Sequence, residues 1–134
     1  VIGNLCGGWL ADRLGSFRTL LLLSVAQLLT APFFSVLPFS AFALIVLIAL
    51  WSLAIWSMMA GQQLRIIALR PVAAPIVLAL NAAAIYIGAA IGSAFGSGVL
   101  ALAGLQALGL GGAAVAALAV GHILLSERIN RQTA

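Results

Sequence analysis

Two stretches of this 134-residue chain contain no charged residue: positions 19–64, 46 residues, and positions 71–126, 56 residues. A bilayer-spanning helix needs about 20 apolar residues, so each run is too long for one crossing and fits two with a turn between them. Turn-forming residues interrupt each run near its middle: Pro32 and Pro38 in the first, the glycine-rich segment 104–112 in the second. Two helical hairpins follow, with spans expected at 17–36, 40–64, 73–102 and 107–126. Residues 1–11 would make about 16 Å of helix, too short to cross alone. The expected fold class is all-α integral membrane, with four full transmembrane helices plus one partial.

Composition excludes the main alternatives. With 65% hydrophobic and 6% charged residues and a mean hydropathy of +1.28, the chain is far from the quarter or so of charged residues in a soluble domain. It is equally far from the charged, weakly hydrophobic signature of disorder. The basic residues are six arginines and no lysine, against one aspartate and one glutamate. They form three clusters: Asp12, Arg13 and Arg18; Arg65 and Arg70; Glu127, Arg128 and Arg131. Two hairpins put all three clusters on one side, and the positive-inside rule makes that side cytoplasmic. The expected location is therefore a cell inner membrane, multi-pass, with the C-terminus in the cytoplasm. A pI near 11.3 would ordinarily raise nucleic-acid binding, but so few charges form no basic face, and no nucleic-acid partner is expected. Cys6 is the lone cysteine, so neither an intrachain disulfide nor a thiolate metal cluster is expected. Val1 opens directly in a glycine-rich apolar stretch without a basic leader, and the absence of an initiator methionine suggests a fragment or an unusual start.

The sharpest local pattern is Gly8-Trp9-Leu10-Ala11-Asp12-Arg13-Leu14-Gly15-Ser16-Phe17-Arg18, between the half helix and the first full span. Gly8 would let backbones approach closely, and Gly15 permits a left-handed turn. Asp12 can pair with cations or sit at a helix N-terminus. Arg13 and Arg18 can hold an interface or bind anionic headgroups. Taken alone, this is equally a polar loop with an orienting charge pair.

The run Gly8-x-Leu10-Ala11-Asp12-Arg13-x-Gly15 followed by a basic residue resembles the cytoplasmic loop motif of the major facilitator superfamily. That motif lies between the second and third helices, with a weaker copy between the eighth and ninth. Downstream, Trp51-x-x-Ala54-x-Trp56, Gln62-Gln63-x-Arg65, Ala79-Leu80-Asn81 and Tyr86-x-Gly88 resemble the drug–proton antiporter branch, which contains bacterial exporters of drugs, sugars and purines. Four helices follow the loop, so the resemblance implies a C-terminal fragment, from the second half of helix eight through helix twelve. It also implies that Gly8, Asp12, Arg13, Gly15 and Arg18 form a gating loop that locks the cytoplasmic face between two six-helix halves. Asp12 would face the start of the family's fifth helix, which is not in this chain. The helix start at Pro71 would receive the matching aspartate of the missing N-terminal transporter half. Ser16 and Phe17 stand where the family often has further basic residues, which weakens the loop's electrostatics.

The remaining candidates lie within the spans. Gly88, Gly92 and Gly96 recur every fourth residue, a small-residue stripe suited to close helix packing. Asn81, Ala84 and Gly88 share a face, while Tyr86, Ser93 and Ser97 lie roughly 140° away. Trp51, Ile55, Met58 and Gln62 share one face of the second span, with Ser52, Trp56, Met59 and Gln63 on its neighbour. Aromatic and methionine side chains adapt to varied apolar ligands, so Trp51, Trp56, Gln62, Gln63, Asn81 and Tyr86 are candidate substrate-cavity residues. Facing lipid or core, or hydrogen-bonding another helix, is the plainer role for each. Gln27 is expected to hydrogen-bond a neighbour, and His122 to sit at the membrane interface.

No enzyme is expected. The lone Asp, Glu, His and Cys lie in different segments, and neither a nucleotide-binding glycine loop nor metal-ligand spacing occurs. No cofactor and no metal are expected. The sequence thus reads as part of a longer transporter of small molecules, proton-coupled and exporting, whose partners are the lipid bilayer, the missing half and the substrate. A membrane scaffold or accessory helical protein, or an inactive truncated remnant, is the alternative.

Overall fold

The computed structural model describes residues 2–36 and 40–133, so Val1 and the expected turn residue Pro38 lie outside the described residues. Five α-helices account for nearly all of it: α1 (Ile2–Leu14), α2 (Ser16–Thr30), α3 (Ala41–Leu69), α4 (Ala74–Ala103) and α5 (Ala107–Thr133). Two short 3₁₀ segments, Ala31–Ser35 and Pro71–Ala73, extend α2 and precede α4. Four stretches are long and apolar enough to cross a bilayer: Ser16–Ser35, Ala41–Leu69, Pro71–Ala103 and Ala107–Gln132. Helix α1, with 13 residues, rises only about 20 Å. The chain is an all-α, multi-pass membrane protein.

Local chemistry sets the helix ends. Gly15 joins α1 to α2 with φ 81° and ψ 150°, a conformation essentially confined to glycine. Pro32 has no N–H to continue the α2 ladder, and the chain tightens into the 3₁₀ segment there. Ser40 caps α3, its Oγ accepting from the Ala43 N–H at 3.2 Å. At the other end α3 runs to Leu69, beyond the expected end at 64. It stops because Arg70 precedes a proline and is forced into an extended conformation (φ −143°, ψ 70°). Pro71 and Pro75 then stand in first turns, where the missing N–H costs nothing. Gly104, with φ 80°, closes α4.

Helix α2 is the centre of the bundle, packed by α1, α3 and α5. Its Leu20, Leu23, Thr19 and Ser24 are buried, with Ala11, Ala31, Ser57 and Ile123 around them. Helix α4 leans on α3 and α5 along one edge, and none of its residues is buried. Large apolar side chains such as Phe42, Ile76, Ile91 and Leu118 are exposed, as expected where lipid rather than water is the solvent.

Without a hydrophobic drive inside the bilayer, helices associate through close backbone contact and hydrogen bonds. Gly3 and Gly7 of α1 supply that contact. A Cβ on Gly7 would fall onto the Ser57 backbone, and one on Gly3 would lie 2.5 Å from Trp56 Cβ. Gly109 plays the same part at the opposite end, where α5 begins against Ala31 and Ser35. There the Ser35 Oγ accepts from the Leu110 N–H at 3.1 Å, satisfying an orphan donor of α5's opening turn.

Candidate functional site

The charged residues gather at one end of the bundle. Arg65, near the end of α3, points its Nη2 at Glu127 Oε2 (3.4 Å) and at Ser126 Oγ (3.4 Å) on α5. The other Glu127 oxygen accepts from Arg131 Nε at 3.1 Å. The Arg65 guanidinium also sits 5.8 Å from the centre of the Phe17 ring, at the start of α2. The Arg65 and Glu127 side chains keep only 13% and 19% of their surface, whereas Arg131 keeps 72%. Arg65–Glu127 is therefore the sheltered member of the triad. These contacts place the starts of α2 and the ends of α3 and α5 together, at the same end as the α1–α2 turn.

At that turn, Asp12, Arg13 and Arg18 are exposed. Arg13 folds back so that its guanidinium lies 4.4 Å over the Trp9 ring, a cation–π contact one helical turn away. Among the described residues neither Asp12 nor Arg18 enters an ion pair. Gly15 takes the positive-φ, extended conformation described above rather than a left-handed turn. Gly8 meets nothing within 4 Å; close approach belongs to Gly7 beside it and to Gly3.

Within the bundle, a cavity of about 330 Å³ opens where α4 stands off from α2, α3 and α5. Gln27, Trp51, Gly92, Phe95 and Gly96 contribute to its wall, which is otherwise apolar. The Trp51 ring meets Phe34 edge-on at 5.8 Å. Gln27 donates through Nε2 to the Met58 sulfur at 3.8 Å, and Ser24 donates to the same sulfur at 3.7 Å. Met58 is thus an acceptor in the α2–α3 contact.

The structure does not bring the six candidate cavity residues together. Trp51 lines the α4 cavity, while Trp56 lines a separate shallow depression with Ile2, Gly3 and Leu53. Gln62 and Asn81 are half-buried, Gln63 is exposed, and Tyr86 is 76% exposed. A Cβ on Gly88, Gly92 or Gly96 would meet no neighbour within 4 Å, so the glycine stripe packs against nothing in this chain. Two of its members form cavity wall instead. His122 is exposed, next to the buried Ile123.

Ser57, Gly3 and Phe95 were not singled out from the sequence. The spacing Gly3-x-x-x-Gly7-x-x-x-Ala11 was the available signal for the first contact, since all three are buried on one face of α1. Among the described residues no group of three His, Cys, Asp or Glu side chains could hold a metal ion.

Comparison with known proteins adds one relationship. The chain is 31% identical to the inner membrane transport protein YdhP of Escherichia coli O157:H7 over 135 residues, a stretch taking in 98% of this chain. It spans about a third (34%) of that relative's length. No protein-family model matches the chain, and no solved structure does.

Proposed function

We propose that the chain is a C-terminal part of a transmembrane transporter of the major facilitator type. On this reading it covers the second half of helix eight through helix twelve of a proton-coupled exporter of small molecules. The observation that carries the proposal is the 31% identity running through 98% of the chain to an inner membrane transport protein three times its length. The geometry supports it. Asp12 is exposed at the polar end of the bundle without an ion-pair partner among the described residues. That is the expected state of a gating aspartate whose counterpart lies in another half. Gly88, Gly92 and Gly96 present an open face on α4, ready for helices outside this chain. Alternating access needs two halves moving about a central site, and the α4 cavity walled by Trp51, Gln27 and Phe95 would be this chain's contribution to it.

The direct test is substitution of Asp12 in the complete reading frame. Asp12→Asn keeps the size and removes the charge, and should lower export strongly at unchanged membrane abundance. Asp12→Glu should retain part of it. Full export by Asp12→Asn would remove the gating role.

A further inference from the structure

We propose that the polar end of the bundle holds a binding cleft for a phosphate ester, and that its occupant is an anionic phospholipid headgroup. The cleft, about 400 Å³, lies between the α1–α2 turn and the ends of α3 and α5, and Arg18, Arg65 and Arg131 line it together with one acid, Glu127. Both Glu127 oxygens are already engaged, one by Arg65 and the other by Arg131. One carboxylate thus faces three guanidinium groups, and a fourth, Arg128, lines an adjoining depression with Phe17 and Glu127. Arg18 enters no ion pair among the described residues, and Arg131 keeps 72% of its side-chain surface. The cleft therefore carries uncompensated positive charge on side chains open to a ligand.

Two features select the ligand class. The chain has six arginines and no lysine, and the planar fork of arginine matches two phosphate oxygens at once. The cleft is also amphipathic: Leu14 and Leu69 line it and are 42% and 50% exposed. It is lined from the ends of three candidate membrane spans, in α2, α3 and α5, the position at which basic pockets between helices recognise anionic lipids. A soluble phosphate would use the arginines and leave the leucines exposed; a phospholipid uses both. The inference rests on the spans and the cleft and is independent of the transport reading.

The test uses the full chain in bilayer discs containing equal phosphatidylglycerol and phosphatidylcholine, with the lipids retained after partial delipidation counted by native mass spectrometry. Phosphatidylglycerol should be retained preferentially. Arg18→Gln and Arg131→Gln should each reduce that preference about fivefold, with Arg70→Gln, exposed beside Pro71 and outside the cleft, leaving it unchanged. Unaltered helicity by circular dichroism separates lost binding from lost fold. Millimolar inorganic phosphate or glycerol phosphate should not displace the lipid. No preference for phosphatidylglycerol, or an equal loss in Arg70→Gln, would overturn the cleft. Complete displacement by either soluble phosphate would overturn the lipid as its occupant.

Discussion

Ser57 Oγ donates a buried hydrogen bond of 2.8 Å to the Gly3 carbonyl, joining residues 54 positions apart on α3 and α1. The bond forms because Gly3 and Gly7 remove the side chains that would hold the two backbones apart. Helix α1 is thereby fixed to α3, a helix long and apolar enough to cross a bilayer.

Gly7→Ala should destabilise the chain by about 1–3 kcal/mol, since the added methyl meets backbone and cannot be accommodated by a rotamer change. Gly8→Ala meets open space and should be neutral or slightly stabilising through helix propensity. Ser57→Ala should cost about 0.6 kcal/mol, an average interhelical hydrogen bond in a membrane protein. Reversible unfolding in mixed micelles measures all three, and equal stabilities for the Gly7 and Gly8 variants would contradict the packing.

The Glu127 triad predicts unequal couplings. In a double-mutant cycle, Arg65–Glu127 should couple by about 1 kcal/mol, because both side chains are largely sheltered from solvent. Arg131–Glu127, one helical turn apart with Arg131 exposed, should give about 0.3–0.5 kcal/mol and lose it in high salt. The reverse order would mean that Arg65 is held by packing on Phe17 rather than by charge.

How much of this was legible beforehand depends on the residue. The charge-free runs announce helices because apolarity over 46 and 56 positions, without the apolar–polar alternation of a barrel strand, leaves the helix as the stable spanning structure. Arg70 before Pro71 and Gly15 after the half helix announce their own ends through backbone sterics. Which face packs inward was not legible for α3 and α4, since a helix apolar all round carries no polar stripe to mark its outside. Trp51 and Trp56 show the limit. Five positions rotate a helix by about 140°, so the two rings cannot share a wall, as their separate cavities show.

Gly92 offers a test of where the glycine stripe acts. Gly92→Leu should leave the folding of this chain unchanged, because the new side chain enters open space beside the α4 cavity. In a complete transporter the same change should reduce folded yield or activity far more than Val99→Leu, by blocking a helix that packs there. Comparable thermal melts together with full activity in the complete protein would show that nothing packs on the stripe.

Topology is tested by single cysteines in a Cys6→Ala background. Ala68→Cys and Gln132→Cys lie at the polar end and should resist an impermeant maleimide applied to intact cells. Ala41→Cys and Gln106→Cys lie at the opposite end and should react. External labelling of the tail at Gln132→Cys would reverse the orientation that the arginines imply.

On the proposed function, this chain is one part of a transporter whose proton carrier lies elsewhere. Titratable groups within a membrane are expensive enough to mark function, yet neither charge-free run holds an Asp or Glu. The decisive measurement is accumulation of a panel of drugs, purines and sugars in liposomes under an imposed pH gradient. The chain is reconstituted alone and as the complete reading frame. Gradient-dependent accumulation by the complete protein, with the chain alone matching protein-free vesicles, is the predicted result. Accumulation by the chain alone that vanishes when the gradient collapses would contradict it, and its further loss in His122→Ala would place the proton carrier within this chain.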